Sequence, residues 1–197
     1  MVFDGIILSF IVGFLRKGNM KALAQLKLTW GWIFPLLLVV ELTVFSLQNG
    51  HKTLGEISGY IYILVYILGL LFLIMNRKNP GFTLIFIGVF LNFIVMALNG
   101  GRMPVSLEAA SILEPGYLDV LKEELYAKHT ALIDSTNLGF LGDIIPITKP
   151  YPRTQIISIG DIIMNIGAFL FIQYLMVKHP AAKRQKASLS MKGGEAK

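Results

Sequence analysis

The sequence contains no cysteine, which excludes disulfides, thiolate metal sites and cysteine nucleophiles together. Charge is scarce: 15% of the 197 residues are Asp, Glu, Lys or Arg, where a soluble domain carries about 25%. Histidine occurs three times, at His51, His129 and His179, too scattered for an HxxxH metal site. Asn99-Gly100-Gly101 lacks the spacing and the following Lys-Ser/Thr of a phosphate-binding loop. Neither an internal repeat nor an inverted symmetry stands out, which argues against a transporter built from two similar halves. No metal and no cofactor is expected from this inventory.

What is present is apolar. Hydrophobic residues make up 54% of the chain and the mean hydropathy is +0.64. They come in long blocks, not at amphipathic spacing, which points to a membrane as solvent. Five blocks read as spans: 2–15, 30–47, 57–75, 82–98 and 156–177. The first is short, about 20 Å of helix against a hydrocarbon core of about 30 Å, so an interfacial or re-entrant segment is its alternative. It does not read as a cleaved signal peptide, because Asp4 precedes it while Arg16, Lys17, Lys21 and Lys27 follow. Trp30 and Trp32 suit the inner interface at the start of the second span.

The connections carry the charge. Segments 16–29, 76–81 and 178–197 hold twelve of the eighteen Lys and Arg; segments 48–56 and 99–155 hold the other six, mixed with eight acids. By the positive-inside rule the N-terminus is outside, the C-terminus cytoplasmic, and the long loop 99–155 extracytoplasmic. The expected architecture is therefore an all-α polytopic helix bundle of the inner (cell) membrane, residues 1–177, with a disordered basic cytoplasmic tail, 178–197. A net charge of +6 would suggest nucleic acid in a soluble protein; here topology accounts for it. The expected partners are membrane lipids, with the tail near anionic headgroups, and another membrane protein. Within the loop, Glu114-Pro115-Gly116 marks the start of an amphipathic helix with Leu118, Leu121 and Leu125 as its stripe.

Polar residues inside spans are expensive unless they face a partner or water. Counting about 1.5 Å per residue from the outer ends puts Glu41, Asn92 and Asp161 about 8–10 Å below the surface, with Asn165 one turn below Asp161. Three helices thus offer polar groups at one depth, as if lining a pocket open to the outside. Arg102, in Asn99-Gly100-Gly101-Arg102, is the cation placed to pair with either acid. Interhelical packing, a ligand pocket (Glu41, Asn92, Asn99, Arg102 and Asn165) and catalysis all fit this pattern. The catalytic version uses Asp143 and Asp161, each in a Gly-Asp-Ile-Ile sequence, sharing a proton in a dry site so that one is base and the other acid.

The run from Tyr151-Pro152 through Ile159-Gly160-Asp161 to Gly167 resembles the second aspartate motif of lipoprotein signal peptidases. It departs from that family at Ser158, where asparagine is usual, and in the lack of an Arg after Asp143. That resemblance implies a membrane-embedded aspartyl hydrolase acting on a lipid-linked or peptide substrate at the outer leaflet. A second resemblance covers nearly the whole chain. It rests on Arg16-Lys17-Gly18-Asn19, Leu23-Ala24, Leu26-Lys27-Leu28 and Trp30, then Asn99-Gly100-Gly101-Arg102-Met103-Pro104-Val105-Ser106, Leu141-Gly142-Asp143-Ile144-Ile145-Pro146 and Ser158-Ile159-Gly160-Asp161. Together these are similar to the family called domain of unknown function 5317, small multi-pass bacterial membrane proteins. The resemblance implies location and architecture and no particular activity, so the leading expectation is a non-catalytic or ligand-binding membrane protein.

Overall fold

A computed structural model describes residues 2–24, 26–48, 50–112 and 128–178. The stripe at Leu118, Leu121 and Leu125 and the tail beyond Lys178 lie outside the described residues. The chain is mostly helical: α1 Val2–Leu15, α2 Lys21–Ala24, α3 Ile33–Leu47, α4 Lys52–Met75, α5 Phe82–Leu98, α6 Leu107–Ser111 and α7 Ile159–Gln173. A π-helical turn, Tyr174–Lys178, continues α7. Among the described residues two helical stretches, Thr53–Met75 and Ile159–Val177, are long and apolar enough to cross a membrane, while Gly5–Leu15, Ile33–Leu47 and Phe82–Leu98 are apolar but shorter.

The long helices lie side by side in the order α1, α7, α5, α4, α3. Large side chains fill the α3–α4–α5 contact: Ile33, Leu37, Phe72, Leu73 and Phe82 form one cluster, against which Phe171 of α7 packs. The rings of Phe82 and Phe171 meet edge to face at 4.7 Å. A second cluster joins Val44, Tyr62, Val95, Met96 and Met103 nearer the other end. Between α5 and α7 the packing is by absence. A Cβ on Gly88 would meet the Gly160 carbonyl, with the Met164 nitrogen at 2.7 Å, and a Cβ on Gly167 would stand 2.6 Å from the Ile85 nitrogen. Small residues here let two backbones approach to near contact.

Hydrogen bonds sort the connections onto two ends. At one end Thr29 N donates to Asn76 Oδ1 and Asn76 Nδ2 donates to Thr29 O, both at 2.9 Å. Asn19 N donates to Met176 O and Arg16 Nη1 to Gln173 Oε1 at 2.9 Å. At the other end a turn with Gly100 and Gly101 at φ +68° and +78°, conformations that favour glycine, packs directly on Gly59 of α4.

The region 99–155 corrects the expectation of an all-α protein. With the two residues that follow, it holds β1 Met103–Val105 paired in parallel with β2 His129–Ala131, and β3 Ile145–Ile147 paired antiparallel with β4 Gln155–Ile157. Each strand is three residues long, too short for an alternating pattern to stand out. Asp143 flanks β1 on its other side through a bridge to Val105. The terminal helix also begins later than the apolar block, because Ile156 and Ile157 belong to β4.

The glycine contacts separate two otherwise similar substitutions. Gly88→Ala should destabilise the protein by about 1–3 kcal/mol through overpacking. Gly69→Ala, which meets nothing within 4 Å, should be neutral or gain up to about 1 kcal/mol of helix propensity. Thermal unfolding of the two variants in one detergent checks this; equal melting would contradict the close α5–α7 contact.

Candidate functional site

Helix α7 starts at Ser158, whose Oγ accepts from Asp161 N at 3.0 Å while Asp161 Oδ2 accepts from Ser158 N at 3.3 Å. This reciprocal cap satisfies two backbone donors that the helix cannot. Asn92 of α5 joins it: its Nδ2 donates to Asp161 Oδ1 at 2.9 Å, and its Oδ1 accepts from Ser158 Oγ at 2.8 Å. One amide, one hydroxyl and one carboxylate thus form a closed set beside the Gly88–Gly160 contact. A Cβ on Gly160 would strike Asn92 Oδ1, so the same glycine admits the amide.

Above this set lies a recess of about 200 Å³, lined among others by Tyr66, Asn92, Lys128, His129, Asp143 and Asp161. The chain holds Asp143 there by its backbone: its N–H donates to Pro104 O at 2.8 Å and its carbonyl accepts from Ser106 N at 3.0 Å. The side chain is buried, and among the described residues its Oδ1 has no hydrogen-bond partner. Register across β1 and β2 sets His129 opposite Met103, and its Nε2 lies 3.6 Å from Asp143 Oδ2. Lys128 Nζ donates to Glu41 Oε1 of α3 at 2.6 Å.

Burial dominates the titration here. Burial, then the charge of Asp161, pushes the Asp143 carboxyl up to about 8, against the opposing pull of Lys128. Burial and then Lys128 press the His129 imidazole down to about 4. Both are neutral at pH 7, and 3.6 Å is too long for a good hydrogen bond, so the contact is not an ion pair. Burial works against the Lys128 ammonium as well, but Tyr66 and Glu41 outweigh it and its pKa is raised.

The residues expected from the sequence divide accordingly. Asn92, Asp143 and Asp161 line the recess. Glu41 reaches it only through Lys128. Asn165 donates to Asp161 O at 2.8 Å and faces Gly5 of α1, where a Cβ would strike its Oδ1. Asn99 ties down the loop, donating to Asn137 O at 2.9 Å and accepting from Asn137 N at 3.0 Å. Arg102 pairs with neither acid: its Nη2 donates to Gly55 O and Ser58 Oγ, each at 3.1 Å, because the Gly100-Gly101 turn lies over α4.

Ser158, Lys128 and His129 were not anticipated as site residues. Ser158-x-x-Asp161 before an apolar run is a capping-box pattern, so Ser158 had a readable signal. Lys128 and His129 had none, since their place depends on pairing across 25 residues of chain. Among the described residues no group of three or more His, Asp or Glu could hold a metal ion.

The two shifted groups give a stability profile with a definite sign. The folded state keeps on Asp143 a proton that the unfolded chain releases near 3.8, so stability falls as pH rises towards 8. His129 acts oppositely between about 4 and its ordinary 6.5, where only the unfolded chain takes up the proton. The two offset each other there and leave a net loss between pH 6.5 and 8. The melting temperature should drop across that window in the wild type and less so in Asp143→Asn; parallel profiles would contradict the assignment.

A family model described as a family of unknown function, DUF5317, matches residues 25–173. A protein of Thermotoga maritima described as uncharacterized is 33% identical over 171 residues, covering 87% of this chain and 89% of its own. No solved structure matches the chain. With most of its length matched in both comparisons, the chain belongs to the DUF5317 family.

Proposed function

We propose that the protein is a five-span protein of the inner membrane with its N-terminus outside, its C-terminus cytoplasmic and the 99–155 region extracytoplasmic. On this reading residues 1–177 form the membrane bundle, the basic 178–197 tail stays inside, and the surrounding lipids are its standing partners. The observation that carries this is the outer surface of the helices. Phe34, Leu36, Val39, Leu42, Phe45 and Leu47 on α3 are all exposed, as are Ile7, Leu8, Ile11 and Phe14 on α1. Contiguous apolar surface on that scale calls for lipid or protein cover. The three shorter helices reach across with local thinning of the bilayer and their flanking turn residues.

The recess then opens to the outside, and we read it as a small polar-ligand site. Neutral Asp143 offers a donor and an acceptor, and Lys128 and Tyr66 add donors. Both oxygens of Asp161 already accept N–H groups, which favours a fixed wall over a base that must take a proton. One observation favours the aspartyl-hydrolase alternative: a carboxyl raised to about 8 stands beside a second carboxylate, the division of labour of an acid–base pair. In that reading the carboxylate takes a proton from the water that attacks a lipid-linked or peptide substrate at the outer leaflet, and the protonated partner of the Asp143–Asp161 pair gives one to the leaving group.

Two measurements test these readings. Because the chain has no cysteine, Ser135→Cys should react with an impermeant maleimide in intact cells and Lys78→Cys only after permeabilisation; the reverse would overturn the topology. In complementation of a deletion strain, Asp143→Asn should retain function and Asp143→Leu lose it, because the amide reproduces a neutral acid's hydrogen bonding. Loss of function in Asp143→Asn would favour the hydrolase.

A further inference from the structure

The end of the bundle opposite the polar recess has a second recess, of about 630 Å³, lined by Leu26, Lys27, Leu28, Trp30, Gly31 and Trp32. Its walls are held firmly. Thr29 exchanges two hydrogen bonds with Asn76, and Gly31 N donates to Leu28 O at 3.1 Å. This turn forces Trp30 to φ +57°, a conformation that costs a bulky residue energy. The result is that Trp30 and Trp32, the only tryptophans in the chain, stand 51% and 65% exposed at the mouth of one recess.

Among the described residues, charge at this end is of one sign. Arg16, Lys17, Lys21, Lys27, Arg77 and Lys78 are all exposed, and segments 16–29 and 76–81 contain no acid. The Thr29–Asn76 pair brings the two segments together. Two exposed indole rings, the half-buried Leu26 and Leu28 and the exposed Lys27 line one amphipathic niche with a positive surround.

We propose that this recess binds the headgroup of an anionic phospholipid of the inner leaflet. Lys27 faces the phosphate, the indoles lie at the glycerol level, and the leucines meet the first methylenes of the acyl chains. Tryptophan favours that interfacial depth, and the basic surround raises the local concentration of anionic lipid. The proposal rests on the membrane reading above and adds a specific lipid class and place to it.

Because both tryptophans belong to the recess, intrinsic fluorescence reports on it directly. The purified full-length protein in a neutral detergent would be titrated with phosphatidylglycerol carrying brominated acyl chains, with matched brominated phosphatidylcholine, and with glycerol 3-phosphate alone. Saturable quenching by phosphatidylglycerol is expected, with little response to phosphatidylcholine and none to glycerol 3-phosphate. Lys27→Gln should weaken the phosphatidylglycerol response about fivefold, and Lys27→Arg should retain it. Equal quenching by both lipids, an equal response to glycerol 3-phosphate, or an unchanged Lys27→Gln variant would overturn the proposal. Carbonate extraction of cell membranes separates the two readings: a protein that stays in the membrane yet shows no anionic preference refutes the lipid site alone, while a protein released by carbonate refutes both.

Discussion

Two helices meet here with almost nothing between their backbones. Gly88 and Gly160 allow α5 and α7 to approach until a single methyl group would collide with the facing chain. Close approach of this kind gains dispersion contacts but leaves no room for water to satisfy polar groups. The polar groups at that level therefore have to satisfy each other. Asn92, Ser158 and Asp161 do so with four hydrogen bonds, two of which also cap α7. Removing the glycines would separate the partners, and removing the partners would leave buried dipoles unpaired at several kcal/mol in an apolar setting.

The rest of the upper structure follows from where that junction ends. Helix α7 begins directly at the network, so the strand before it, β4, must lie across the top of the bundle, where β3 pairs with it. The chain just before β3 brings Asp143 against β1, and β1 in turn orders β2 with Lys128 and His129. The recess is the gap left between this small assembly and the helix ends. Lys128 then closes one side by reaching to Glu41 on α3, linking the region 99–155 to the helix most distant from α7 in the row. The opposite end is built differently, from backbone–amide pairing at Asn76 and a surplus of cations. Among the described residues, one end thus gathers Glu41, Asp143 and Asp161, and the other presents positive charge from segments that contain no acid.

Much of this was legible in the sequence because it depends on runs and periods. The apolar blocks 2–15, 57–75 and 82–98 fall within helices, most of 30–47 and 156–177 does too, and the coincidence of depth between Asn92 and Asp161 corresponds to a hydrogen bond. What was not legible depends on chain geometry beyond any period. The partner of Glu41 is Lys128, 87 residues away, and no spacing rule connects them. Arg102 looked suited to an acid, yet two left-handed glycines turn it over α4 instead. The strands of 99–155 are too short to alternate. Asp161 illustrates a subtler gap: a carboxylate inside an apolar helix reads as functional, but in the first turn the same carboxylate is also the natural cap.

The account stands on the claim that Asn92 and Ser158 act as one unit that joins α5 to α7. A double-mutant cycle on unfolding free energy, with Asn92→Ala, Ser158→Ala and the pair, measures that coupling directly. Groups in one hydrogen-bond network should show an interaction energy of at least about 0.5 kcal/mol, with the double variant less destabilised than the sum of the singles. Strict additivity of the two substitutions would mean that the network does not hold the helices together, and the recess above it would lose its foundation.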